Sequence, residues 1–164
     1  MRKIALAPGG AKNVMRDDAL RRWPIEHYAK LAILLREKGY EVVITGAETD
    51  GWCSEYFLGF ENLIGKTGLL ELIDFYKQCS LLITHDSGPM HLAKLSDCEV
   101  IALFGPTNPF ERTGSPEKIH VIWGGKDLPC RPCYDGKNYP PCKSNICLKQ
   151  ITPEEVLELV ELRK

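Results

Sequence analysis

Short apolar runs of strand character alternate with helical patterns along the chain: Ile4 to Ala7, then Ile25 to Lys38, then Glu41 to Thr45, and so on. Alternation of this kind predicts an α/β class, a Rossmann-like doubly wound parallel sheet with helices on both faces. The first helix is the clearest, with Ile25, Tyr28, Ala29, Leu31, Ala32 and Leu35 at helical spacing and Gly39 as its stop. Later segments read as a brief strand at Leu63-Ile64, a helix over Leu69 to Cys79, and strands over Leu81 to Ile83, Val100 to Phe104 and Ile119 to Trp123. Pro153 to Leu162 reads as a closing helix, with Thr152 as cap and Glu155 spaced for a capping box. A chain of 164 residues can bury one good core, so 1–164 is expected to be a single domain. Within it, 124–150 is a surface loop rich in Cys and Pro, and 152–163 carries the closing helix.

The segment from Leu81 to Pro109 is the strongest candidate for a site. A buried strand breaks at His85-Asp86-Ser87-Gly88 into a short helix over Pro89 to Leu95, with Pro89 where its missing N–H costs nothing. A helix start offers free N–H donors and the positive end of the peptide dipole, so a diphosphate could be held there without a metal. Gly88 would let backbone approach a ligand, and His91 would return to the face of those donors. The next strand ends in Gly105-Pro106-Thr107-Asn108-Pro109, so two strand ends face one crevice. A hydrolase triad of Asp86, Ser87 and His91 is disfavoured, because a G-x-S-x-G elbow is absent.

Two further turns belong to the same picture. Pro8-Gly9-Gly10 is followed by Lys12 and by Arg21-Arg22-Trp23-Pro24, a glycine turn with cations able to neutralise phosphate. Gly46-Ala47-Glu48 places a carboxylate after the second strand, where acids hydrogen-bond ribose, with Asp50 as the fallback. A G-x-G-x-x-G fingerprint is missing, which argues against an NAD-type cofactor.

Four of the seven cysteines fall together as Cys130-x2-Cys133-x8-Cys142-x4-Cys147. In a reducing compartment such spacing makes them candidate ligands of a structural zinc, with reduced thiols or disulfides as the alternatives. Cys53, Cys79 and Cys98 stand in apolar or helical contexts and are expected to be packed.

The pair DSGPMH and ALFGPTNP closely resembles the D-[ST]-G-x-x-H and hydrophobic-G-[PA]-T-x-P signatures of glycosyltransferase family 9, which contains the lipopolysaccharide heptosyltransferases. The stretches IALAPGGAKNVMRDDALRRWPIEHYAKLA and YEVVITGAETD resemble that family as well. The resemblance covers the C-terminal half of a two-domain GT-B enzyme; nothing in the chain corresponds to the N-terminal acceptor domain. It implies inverting sugar transfer, with no cofactor required for catalysis, from a nucleoside-diphosphate sugar such as ADP-heptose to a lipopolysaccharide core acceptor. It places the ribose-binding carboxylate at Glu48, and Arg21 where many relatives carry a phosphate-contacting Lys in K-[RH]-W-P. Arg grips phosphate in a planar, bidentate way that Lys cannot, so this departure matters. The expected substrate-binding set is Gly9, Lys12, Arg21, Glu48, Asp86, Ser87, Gly88 and His91, with His91 steadying the leaving diphosphate as the catalytic group. The base that deprotonates the acceptor would come from the missing domain, leaving the isolated chain inactive.

A net charge of -1 offers no general attraction to nucleic acid. No apolar run approaches the ~20 residues that span a bilayer, and Met1-Arg2-Lys3 does not open a signal peptide. A cytoplasmic protein is expected, with peripheral association at the inner face of the inner membrane. Two other readings compete: a stand-alone nucleotide-binding or scaffolding domain without catalysis, and a nucleotide-sugar epimerase or hydrolase of GT-B shape.

Overall fold

The structure is a computed structural model and describes residues 2–12, 17–114 and 117–163. Met1 and the middle of the loop between Lys12 and Arg21 lie outside them.

Six parallel strands form one sheet in the order β3-β2-β1-β4-β5-β6. They are β1 (Lys3–Ala7), β2 (Glu41–Ile44), β3 (Glu61–Asn62), β4 (Leu81–His85), β5 (Glu99–Phe104) and β6 (Ile119–Trp123). The inner strands are buried on both faces, which is why they read as nearly unbroken apolar runs. Ile4 and Leu6 join a core with α1 (Ile25–Glu37) and α6 (Pro153–Glu161) on one face. Ala5 and Ala7 join a second core with α2 (Leu69–Tyr76) and α3 (Gly88–Lys94) on the other. The expected doubly wound fold is what forms, and the order of the strands reverses between β1 and β4. Such a reversal opens a crevice at the carboxyl ends of the strands, the usual place for a ligand in open α/β sheets.

Local signals explain most element ends. Thr152 Oγ1 accepts from Glu155 N at 3.1 Å, as its cap position predicts. A one-turn helix, α4 (Pro109–Arg112), follows the Gly105 to Asn108 turn, with Asn108 Oδ1 accepting from Phe110 N at 3.0 Å. Two expectations need correction. The brief strand pairs at Glu61–Asn62 and not at Leu63-Ile64, because Val43 aligns with Glu61 and the chain turns at Gly65 with φ of 71°. Helix α2 stops at Tyr76, since Gln78 N and Cys79 N bond three residues back, to Phe75 O and Tyr76 O, and tighten the last turn. The Cys/Pro-rich stretch is largely exposed and is anchored from its middle. Cys133 N and Tyr134 N both donate to Pro106 O, so it docks on the turn after β5 before α5 (Ile146–Lys149).

Candidate functional site

Four segments beyond the carboxyl ends of neighbouring strands enclose a cavity of about 230 Å³. Gly10 to Lys12 after β1, Gly46, Ala47, Thr49 and Asp50 after β2, Thr67 to Leu69 before α2, and Gly88-Pro89 at the start of α3 line it. A larger open hollow of about 450 Å³ lies at the opposite end of the sheet, around Asp97, Cys98 and Ile119, away from these turns.

The expected site residues divide into two groups. Lys12 and Gly88 line the cavity, Gly9 adjoins it, and exposed Glu48 sits at its rim between Ala47 and Thr49. Gly88 has open space where a Cβ would stand, so nothing inside the protein requires glycine there. Gly9 is different. A Cβ on it would stand 2.5 Å from Asp50 Cγ, so packing against Asp50 by itself requires glycine here. Asp50 is buried, with Oδ1 accepting from Gly10 N at 2.9 Å and Oδ2 from Ala47 N at 2.8 Å. Both its oxygens accept from backbone, so Asp50 ties the turn after β1 to the turn after β2.

The second group is charged and lies beside the cavity. Asp86 is buried, and its Oδ2 accepts from Thr107 Oγ1 at 2.8 Å while Arg21 Nη1 stands at 3.4 Å and Arg112 Nε at 3.9 Å. Arg21 also pairs with Asp18 at 3.1 Å, so its charge is shared between two carboxylates. Lys12 is therefore the cation that the turn after β1 presents to the cavity, whereas Arg21 braces Asp86. Asp86 Oδ1 and Arg21 Nε are buried without a hydrogen-bond partner among the described residues. A polar ligand reaching them would recover the cost of burying unpaired polar atoms. His91 is exposed, and its pKa is lowered, chiefly by partial burial and then by Lys94, with Asp86 opposing. Ser87 occupies the N-cap position of α3 but makes no capping bond; its hydroxyl donates to His85 O at 3.3 Å. The Ser87 side chain is thus turned toward the strand end, leaving the backbone N–H groups of the helix start as the donors there.

Sequence reasoning missed His85. It is fully buried, with Nε2 2.6 Å from Gly9 O and Nδ1 2.9 Å from the Tyr28 hydroxyl. Trp23 N also donates to Nδ1 at 3.3 Å, so the network assigns the proton to Nε2. Burial pushes its pKa from 6.5 down to about 3, against the opposing hydrogen bond to Gly9. Only the unfolded chain gains this proton below pH 6.5, so stability is level above that value and falls as pH drops toward 3. The slope contributed is at most about 1.4 kcal/mol per pH unit. Urea melts between pH 7.5 and 4.5 should therefore show a steeper loss in the native chain than in H85Q; equal slopes would contradict the assignment.

Among the cysteines, Cys53, Cys79 and Cys98 are buried as expected, and burial pushes their thiols up to about 12, 12 and 11. Cys130, Cys133, Cys142 and Cys147 are free thiols. The Cys133 and Cys147 thiols are raised chiefly by burial, with other thiols of the set adding to the rise. Yet among the described residues no group of three or more His, Cys, Asp or Glu side chains is placed to hold a metal. The expected tetrahedral zinc site is not assembled. Cys147 is packed under Gly105 and Gly125, while Cys130 and Cys142 are exposed.

Residues 2–143 match the model of glycosyltransferase family 9 (heptosyltransferase). Lipooligosaccharide heptosyltransferase 2 of Campylobacter jejuni is 31% identical over 150 residues, which cover 86% of this chain and 46% of that protein. The Escherichia coli ADP-heptose lps heptosyltransferase II structure superposes with a TM-score of 0.74 at 28% identity, covering 98% of this chain and 46% of that one. The iron-containing dodecameric glycosyltransferase TibC from enterotoxigenic E. coli superposes with a TM-score of 0.71 at 16% identity over 98% of this chain and 44% of that one, a likeness of fold alone. The chain spans about half the length of the curated relatives it matches, and corresponds to their C-terminal part.

Proposed function

The chain belongs to glycosyltransferase family 9, and from that premise we propose that residues 1–164 are the donor-binding half of a heptosyltransferase. In this reading a heptose passes from ADP-heptose to a lipopolysaccharide core acceptor, with inversion and without a metal. A separate N-terminal domain holds the acceptor. The observation that carries the reading is the cavity where the sheet order reverses, between the Gly9-Gly10 turn and the start of α3. At about 230 Å³ it is smaller than the ~300–1,000 Å³ typical of whole-ligand pockets, which suits a base and ribose with the phosphates running out along α3. Leu69, Leu72 and Leu92 supply an apolar lining for a base, and Glu48 at the rim suits ribose hydroxyls. Adenine is the base of choice because the E. coli relative is described as an ADP-heptose enzyme.

Sugar transfer builds negative charge on the departing diphosphate, and donors fixed there lower the barrier. Lys12, the backbone N–H groups at the start of α3 and the His91 ring are the groups assigned to this, with no step through a metal. Gly88 leaves room for the phosphates. The unpartnered Oδ1 of Asp86 is available to a sugar hydroxyl. In this reading the base for the acceptor comes from the N-terminal domain, while Asp86 Oδ2 is engaged by Thr107 and Arg21. This chain alone should bind nucleotide without turnover. No described helix is long and apolar enough to cross a membrane, and the proposed place of action is the cytoplasmic face of the inner membrane, where such an acceptor would be met. Calorimetric titration with ADP, GDP and UDP in buffer containing EDTA tests the reading. Saturable uptake of ADP is expected; no uptake of any of the three, or uptake only when divalent metal is restored, would overturn it.

A further inference from the structure

The turn that walls one side of the cavity is held at three backbone atoms by side chains from three different parts of the chain. His85 Nε2–H donates to Gly9 O at 2.6 Å, Arg22 Nε donates to Gly10 O at 2.9 Å, and Asp50 Oδ1 accepts from Gly10 N at 2.9 Å. Each of the three is itself held. The Tyr28 hydroxyl lies on His85 Nδ1, Arg22 pairs with Asp17 and lies 5.5 Å from the Trp52 ring, and Asp50 takes a second bond from Ala47 N.

What they hold is an unusual backbone. Gly10 and Ala11 have φ of 70° and 55°, successive residues in the left-handed region. Ala11 meets a steric penalty in that conformation, which persists only where its surroundings impose it. Burying a histidine and a carboxylate is also costly unless they are fully paired. A surface turn that merely joined two elements would need neither expense. Here the strained residues are the ones that form the cavity wall, and a Cβ on Gly10 would already stand 3.0 Å from Ser87 Cβ, so the turn approaches the start of α3 as closely as it can. Relaxation of Gly10-Ala11 to ordinary angles would swing Lys12 and reshape the gap between the turn and α3.

We propose that Arg22, His85 and Asp50 form a clamp that fixes the Gly9–Ala11 turn for nucleotide binding, as positioning residues that do not themselves touch the ligand. The clamp rests on the nucleotide reading of the cavity. It separates the two arginines of the RRWP element: Arg22 sets the turn, and Arg21 braces Asp86.

The test is ADP calorimetry on the native chain, R22M, H85L and H85Q, with urea melts to confirm that each is folded. R22M and H85L each lose one hydrogen bond to the turn and should bind ADP about tenfold more weakly, with shifted Gly10 and Ala11 amide resonances before any ligand is added. H85Q keeps a donor near the Nε2 position and should recover most of the affinity that H85L loses, which a general packing role would not produce. Native affinity in folded R22M and H85L, or H85Q no better than H85L, overturns the clamp while leaving the nucleotide reading intact. Should H85L not fold, R22M decides the matter alone. If the native chain takes up no nucleotide, the reading of the cavity fails and the clamp fails with it.

Discussion

Gly9→Ala should abolish measurable nucleotide uptake, with affinity for ADP lowered by about 100-fold or more. The added Cβ would stand 2.5 Å from Asp50 Cγ and Oδ1, closer than any real contact, and 2.7 Å from Asp50 Cβ. Asp50 has to withdraw, and two backbone N–H groups, those of Gly10 and Ala47, lose their acceptor together. Each stranded donor costs about 1–3 kcal/mol, and ~1.4 kcal/mol is already tenfold in affinity. The turns after β1 and β2 would separate on the side where the cavity lies. Gly88→Ala is the control that separates fold from ligand. Its Cβ meets no protein atom within 4 Å, so this variant should melt like the native chain while losing nucleotide affinity. Calorimetry with ADP and a urea melt on both variants check the pair. Native-like binding by folded Gly9→Ala would show that the turn plays no part in the pocket.

Trp23→Ala should give the largest loss of stability of any substitution named here, about 3–5 kcal/mol. The ring is 1% exposed, its Nε1 donates to Ile151 O at 2.9 Å, and it meets the Tyr28 ring edge-on with centroids 4.8 Å apart. It thereby joins the start of α1 to the lead-in of α6, which lie together on one face of the sheet. Loss of the indole leaves a cavity and removes the hydrogen bond to Ile151 O, and the backbone of residue 23 is the one that donates to His85. With typical domain stabilities of ~5–15 kcal/mol, such a loss takes a large share of the total. A shift of the urea midpoint below about half its native value is expected; a midpoint close to the native one would contradict this account of the packing.

The sheet was legible because parallel strands covered on both faces read as nearly unbroken apolar runs, as Leu81 to Ile83 of β4 and Val100 to Phe104 of β5 do. The closing helix was legible because Thr152 and Pro153 are local signals whose chemistry acts within one turn. Elements that depend on distant partners were not. Strand β3 is two residues long and carries Glu61 and Asn62, so its place is set by register against Val43 and Ile44 and not by its own hydropathy. The 3-10 segment Glu48–Phe57 has no apolar period to announce it. At the site, the positions of Gly88 and Lys12 on the cavity were legible from the turns that carry them, and Glu48 from its turn together with the resemblance. The roles of His85, Asp50 and Arg22 were hidden because their partners lie 76, 40 and 12 residues away. Arg21 was placed as a phosphate ligand by the resemblance of its RRWP element, and its pairing with Asp86 was not legible because only the fold brings the two together.

The central claim is that the crevice between the turns of β1, β2 and β4 binds the nucleotide of the donor. The most direct measurement is the backbone amide spectrum of the isotope-labelled chain as ADP is added. The account predicts shifts concentrated at Gly9 to Lys12, Ala47 to Thr49, Thr67 to Leu69 and Gly88 to His91, saturating together. Shifts elsewhere, for example around Asp97 and Ile119 at the far end of the sheet, or no shifts in a folded sample, would contradict it.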